Sequence, residues 1–189
     1  MDIPILETPR LRLREWQPGD RDLLVAMNAD PKVMEFMPKL ATPAESDALL
    51  GRIHNHFAAH GYGFWAVERR DHLTDTPRPF IGFIGLAVVN FDAPFTPAVE
   101  IGWRLTAEHW GEGLATEGAK AALKFGFETL ELKKIVSFTA FHNRRSWRVM
   151  KKLGMQYCST FEHPKLPIGH PLQLHRLYEI NQQDYQSAL

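Results

Sequence analysis

The stretch from Glu100 to Glu117, EIGWRLTAEHWGEGLATE, constrains this chain more than any other part of it. It opens as an apolar strand, turns through a polar loop carrying Gly111 and Gly113, and ends as the start of a helix. Glycines admit the backbone conformations that aim successive N–H groups at one point. The amides that begin a helix have no intrahelical acceptor, and the helix dipole adds positive potential there. Strand, glycine loop and helix in that order make a cradle for phosphate or pyrophosphate that needs no cationic side chain. Two nucleotide fingerprints are excluded. No Lys-Ser or Lys-Thr follows the glycines, as a P-loop requires, and the third glycine of the dinucleotide pattern is missing.

Downstream residues extend the unit. Ala115, Ala119, Ala122, Leu123, Gly126, Phe127 and Leu130 recur at helical spacing, and the small residues in the first half let this helix lie close to a sheet. A strand is predicted from Lys134 to Phe141. His142 and Asn143 form a polar turn, a short helix follows, and Gly154 is placed to end it in a left-handed conformation. Parallel strands joined this way cross over right-handedly.

These residues resemble the acetyl-CoA-binding core of the GNAT family of N-acetyltransferases, with the RimJ/RimL-type branch most similar. The family's loop pattern, Gln/Arg-x-x-Gly-x-Gly/Ala, stands here as Trp110-Gly111-Glu112-Gly113-Leu114-Ala115, followed by Thr116. Trp110 departs from the usual first residue in the manner of the W-G-x-G-x-A-T-E form of that branch. Asn143 to Ser146 and the K-L-G-M of Lys152 to Met155 match a second signature, and the likeness runs from Thr8–Trp16 to His175–Ile180. The resemblance implies a mixed α/β fold, a central twisted mixed sheet of about seven strands with helices on both faces. It implies acetyl-CoA as cosubstrate, with residues 110–116 on its pyrophosphate.

The rest of the chain fits one domain over residues 1–189. Leu11 and Leu13 share one face of a first strand. Asp20 is the expected cap of a helix broken at Pro31. Thr42 to Glu45 is a capping box with Pro43 at the first helical position, opening a helix that turns Leu49, Leu50, Ile53 and Phe57 inward and stops near Gly61. Two strands flank the polar loop RDHLTDTPRP, and AVEIGWRL is a third sheet element.

Lys plus Arg and Asp plus Glu are both 22, so the net charge is zero and direct nucleic-acid binding is not expected. A local cluster remains at Arg144, Arg145, Arg148, Lys151 and Lys152. It reads either as a solvated helix face or, for one or two arginines with Arg145 among them, as contacts to the adenosine-side phosphates of CoA. Cys158 is the only cysteine, which excludes an intrachain disulfide, fits a reducing compartment and reads as core or edge packing. No signal peptide or membrane-spanning stretch is apparent, so a soluble cytoplasmic protein, monomer or homodimer, is expected.

Acetyl transfer to an amine needs a free lone pair. A lysine amine of pKa ~10.4 is almost wholly protonated at neutral pH, whereas an N-terminal amine at ~7.7–8 is not. Glu100 is the first candidate base, and the resemblance supports a glutamate near this place. Strand alternation puts Glu100, Gly102 and Arg104 on one face and Ile101, Trp103 and Leu105 on the other, and a face with both charges is wet or functional. The backbone of Trp103, Arg104 and Leu105 is expected to pair with the pantetheine amides, and Asn143 either to bond that arm or to shape the turn. Many family members carry a tyrosine as proton donor to the leaving thiolate. Here that position is Met150, and Ser146 either takes the role or caps a helix. Glu112, where a basic residue is frequent, is expected to point to solvent.

Nine histidines raise a metal site, with His56 and His60 on one helical face beside His54, but no third ligand is evident and no metal is expected. Glu162 and His163, in a Pro- and His-rich segment between strands, are reserve bases. Trp65, Phe91 and Phe95 are candidate walls of the acceptor entrance. The acceptor is a primary amine, either a protein N-terminus or a small molecule such as an aminoglycoside, polyamine or amino acid. The rival reading is a CoA-binding module without turnover.

Overall fold

The structure, a computed structural model, describes residues 3–70 and 80–187. It contains eight strands and five α-helices among those residues, so the mixed α/β class is as expected with one strand more. The addition is a two-residue ribbon, β1 (Leu6–Glu7), set antiparallel against β2 (Leu11–Arg14). Most of the polar loop expected near residue 75 lies outside the described residues.

The chain forms two compact units, Met1–Ala87 with Gly102–Ala122, and Val88–Ile101 with Leu123–Leu189. In the first unit, β1 and β2 continue antiparallel to β3 (Phe64–Arg69) and β4 (Phe80–Val88), followed in strand order by the later part of β5 (Val99–Leu105). Strand-face alternation places Leu11, Leu13 and Ile84 wholly out of solvent. On them lies α3 (Leu114–Lys124), and the close approach is set by Gly118. A Cβ there would stand 2.5 Å from Ile84 Cδ1 and 3.2 Å from Leu11 Cδ1. Sequence periodicity identified the neighbouring alanines of this face but not Gly118.

Helix α1 (Asp20–Ala29) starts differently from expectation. Gly19 is the cap position and offers no side-chain cap, while Asp20 is the first helical residue and is buried. Its carboxylate accepts from the Gln17 amide at 2.8 Å and pairs with Arg14 at 2.6 Å; Arg14 also reaches Glu68 at 2.5 Å. A buried guanidinium demands such partners, and this demand outranks capping. Helix α2 (Pro43–His60) follows the expected rules: Thr42 and Glu45 form the reciprocal capping box, and Gly61 closes the helix at φ 75°. Ile53 and Phe57 are buried, Leu49 and Leu50 only half so.

In the second unit the order runs from the early part of β5 to β6 (Lys134–Ala140), β8 (Leu174–Asn181) and β7 (Gln156–Glu162). β5 and β6 are parallel, with Glu100 opposite Val136; β6–β8 and β8–β7 are antiparallel. A π turn, Phe125–Thr129, extends the crossover helix and buries Gly126 and Phe127. Helix α4 (Arg144–Lys152) buries Met150 and ends at Gly154, φ 80°. Helix α5 (Gln182–Ser187) was not anticipated. Cys158 lies on β7, the last strand in the order, and is exposed. It is an edge residue without core packing.

Candidate active site

The glycine loop belongs to the first unit. After β5, a single 3₁₀ turn at Ala107–His109 is tied down by Thr106, whose amide donates to Ile81 O and whose hydroxyl bonds His109 Nδ1 at 2.8 Å. The Trp110 indole N–H then donates back to the Leu105 carbonyl at 2.9 Å. Trp110 thereby holds the loop against the strand that precedes it. Gly111 and Gly113 have φ of 83° and 82°, where a side chain is strained, so both glycines are required by the backbone. Among the described residues beyond the chain neighbours, nothing stands within 4 Å of a Cβ at Gly111, and only the Arg10 guanidinium, at 3.7 Å, at Gly113. The first helical bond of α3 joins the Glu117 amide to Gly113 O, leaving the amides of Leu114, Ala115 and Thr116 ahead of the helical ladder. These amides stand at the positive end of an eleven-residue helix, the place where an anion such as a diphosphate is favoured.

The acidic residues of the loop are neutralised by partners that no local sequence pattern predicts. Glu112 is exposed, as expected, and there pairs with Arg69 at 2.8 Å; its carbonyl accepts from Arg10 at 3.0 Å. Glu117 accepts from the Thr8 hydroxyl at 2.7 Å, the Arg10 amide at 2.8 Å and the Arg10 guanidinium at 2.7 Å. Desolvation alone would raise the Glu117 carboxyl, but these donors outweigh it and hold it below the usual carboxylate range. Thr8 and Arg10 thus anchor the N-terminal segment to the loop's helix. No spacing rule connects them to Glu117, more than a hundred positions away.

Also in this unit, the later part of β5 sends Arg104 toward α1. Its guanidinium donates to Asn28 Oδ1 at 2.8 Å and to Met37 Sδ at 3.1 Å, and lies 5.2 Å from the Phe83 ring centre. Trp103 and Arg104 are half-buried and Leu105 is buried. Trp65 is fully buried in the core, its indole donating to Pro4 O, so it walls no entrance.

In the second unit Glu100 stands opposite Val136 and shares its side of the sheet. Val136 forms a buried cluster with Val89 and Leu177, against which Phe91, Phe95, Phe138 and Phe161 pack. The rings of His163 and His175 join them, 4.9 Å apart, with His163 4.6 Å from Phe91. Desolvation pushes the Glu100 carboxyl up to about 7, with Lys165 opposing the rise. Lys165 sits 5.7 Å over Phe91 and bonds Asn90 Oδ1. Burial, then the neighbouring His175 and Lys165, push His163 down to about 4, so at neutral pH it is an uncharged and weak base. Glu162, on β7, is exposed.

Asn143 is the N-cap of α4. Its Oδ1 accepts from the Ser146 amide at 3.2 Å and its Nδ2 donates to Thr139 Oγ1 at 2.9 Å. Asn143, rather than Ser146, therefore caps this helix, and the Ser146 hydroxyl stays half-buried in the first turn. Arg144, Arg145 and Arg148 are exposed along α4. Met150 is fully buried and supplies packing. His56 bonds Tyr62 O and stacks near His60; no cluster able to hold a metal occurs among the described residues.

A family model described as an acetyltransferase (GNAT) domain matches residues 10–156. The FsC-acetyl coenzyme A-N(2)-transacetylase of Aspergillus fumigatus is 28% identical over 84% of this chain and 67% of its own. The crystal structure of an acetyltransferase from Agrobacterium tumefaciens superposes with a TM-score of 0.76 at 26% identity, covering 96% of both chains. A spermidine N-acetyltransferase from Vibrio cholerae, solved with CoA and spermine, has the same fold: TM-score 0.72, 22% identity, 95% of this chain and 99% of that one.

Proposed function

From the premise that the chain belongs to the GNAT acetyltransferase family, we propose that it moves an acetyl group from acetyl-CoA to a primary amine, a protein N-terminal α-amine foremost, with Glu100 as base. The observation that carries this reading is the Glu100 carboxyl, pushed up to about 7 by desolvation on the side of the sheet it shares with Val136. A base poised near the working pH combines a useful ionised fraction with adequate proton affinity. A carboxylate of pKa about 7 matches an α-amine at ~7.7–8 far better than a lysine at ~10.4.

Each part of the chain has its task in the reading. The amides of Gly113, Leu114, Ala115 and Thr116 hold the diphosphate, and Trp110 and Glu112 shape the loop. The backbone of Trp103, Arg104 and Leu105, with Asn143, lies along the pantetheine arm. Asn143 does so from a side chain already committed to capping α4. Arg145 reaches the adenosine-side phosphate. Acetyl-CoA, when bound, supplies an activated acyl group on a good leaving thiol. Glu100 Oε takes the ammonium proton that blocks the amine, and the freed amine attacks the thioester carbonyl, forming the C–N bond as the C–S bond breaks. The Ser146 hydroxyl donates to the departing sulfur and is restored by the second proton the nitrogen sheds. The RimJ/RimL-like branch rests on the tryptophan-led loop, and a reducing, cytoplasmic setting on the single free Cys158. No helix among the described residues is long and apolar enough to cross a membrane.

The test is release of CoA from acetyl-CoA across peptides of varied N-terminus, polyamines, aminoglycosides and amino acids. Turnover with at least one amine is expected. Tight acetyl-CoA binding with no turnover on any of them would leave a non-catalytic CoA-binding module instead.

A further inference from the structure

The first unit holds one buried and one half-buried arginine, Arg14 and Arg104, and they are treated oppositely. Arg14 has a carboxylate on either side, Asp20 at 2.6 Å and Glu68 at 2.5 Å. Arg104 has none among the described residues: its acceptors are the neutral Asn28 amide oxygen and the Met37 thioether, and its face lies against Phe83. Desolvation is the cause that acts on it, lowering its guanidinium to about 10. A guanidinium partly withdrawn from water without a counter-ion is costly, and a ligand carboxylate would supply the missing charge.

The surroundings are built to aim this group. Asn28 and Ser46 are both 1% exposed, and Asn28 Nδ2 donates to Ser46 Oγ at 3.0 Å. That bond fixes the Asn28 amide with its oxygen toward Arg104 Nη1. The two partners use one N–H each of the five a guanidinium carries, leaving a donor edge unspent. Arg104 also lies on the α1 side of β5, whereas α3 packs over Leu11, Leu13 and Ile84 on the other face. The arginine therefore does not serve the diphosphate loop.

We propose that Arg104, steadied by Asn28 and Ser46, receives a carboxylate carried by the acceptor amine. The inference rests on the acetyl-transfer reading and narrows its substrate class. The acceptor is an amine bearing a carboxylate, either the α-carboxylate of a free amino acid or an acidic side chain beside a peptide N-terminus. A polyamine, cationic throughout, meets only repulsion from this group.

The experiment uses the full chain at saturating acetyl-CoA and acceptors matched but for one carboxylate. One series sets free amino acids against their carboxamides; the other sets C-terminally amidated peptides beginning with Asp or Glu against those beginning with Asn or Gln. In one series the carboxylate member is expected to have a kcat/KM about tenfold higher or more. In Arg104→Met that ratio falls to within about twofold of one, with Arg104→Lys between, because a point charge loses the paired geometry. Independently of turnover, calorimetry on the CoA-loaded protein is expected to show the N-acetylated acid binding about tenfold tighter than its amide. Equal rates in both series, a preference for the amides, or a ratio that survives Arg104→Met would each overturn the proposal while leaving acetyl transfer intact. If no acceptor turns over, or Arg104→Met does not fold, the calorimetric ratio in the unaltered protein decides, and a ratio near one overturns it. Failure of acetyl-CoA itself to bind strikes the acetyl-transfer reading instead.

Discussion

Glu100 is costly where it stands. Its carboxyl titrates near 7 in the folded chain and near the ordinary carboxylate value unfolded, so the folded state holds the proton more tightly. The penalty for ionising it grows as pH rises from the unfolded value and is complete above about 7. Glu100→Gln should therefore raise stability above pH 7 by about 1–3 kcal/mol, and leave it unchanged in mild acid, as read from denaturant midpoints. The same substitution should lower kcat/KM by roughly 10²–10⁴-fold and flatten its rise through neutral pH. A variant that keeps the rise removes Glu100 as base. At Asn143 the two roles separate by measurement: Asn143→Ala loses the α4 cap at a cost of about 1 kcal/mol. Acetyl-CoA affinity falls in addition only if the side chain also meets the pantetheine arm.

Among elements, the loop and the helix it opens were the most legible part of the chain. The glycines at 111 and 113 do adopt left-handed backbone, and Gly113→Ala should strain the loop by about 1–2 kcal/mol and raise the KM for acetyl-CoA. A variant with normal KM would detach the loop from the diphosphate. Capping rules read α2 correctly at both ends because its signals are local. They misread α1, because Asp20 answers to Arg14 on β2 before it answers to its own helix. Arg14→Met should leave the Asp20 carboxylate buried without its cation and cost about 3–5 kcal/mol in chemical denaturation. A loss below 1 kcal/mol would show the carboxylate to be reached by water.

For the molecule as a whole, acetyl-CoA should stabilise the fold by mass action. At a hundredfold excess over Kd the gain is about 2.7 kcal/mol, a rise in Tm of roughly 5–11 °C for a chain of this size, and the absence of any shift would contradict the reading. Alternation, helical periodicity, turn residues and caps each depend on neighbours a few positions away. The sequence alone therefore determined the succession of strands and helices, the glycine loop and the strand that carries Glu100. Only the tertiary structure decided what surrounds those groups. It brought Thr8 and Arg10 to Glu117, Arg69 to Glu112, and four phenylalanines to the side of the sheet where Glu100 emerges. It also placed Asn28, but no carboxylate among the described residues, beside Arg104. The physical reason is that charge and desolvation act through space between residues tens of positions apart, and no local pattern in the chain records which of them will meet.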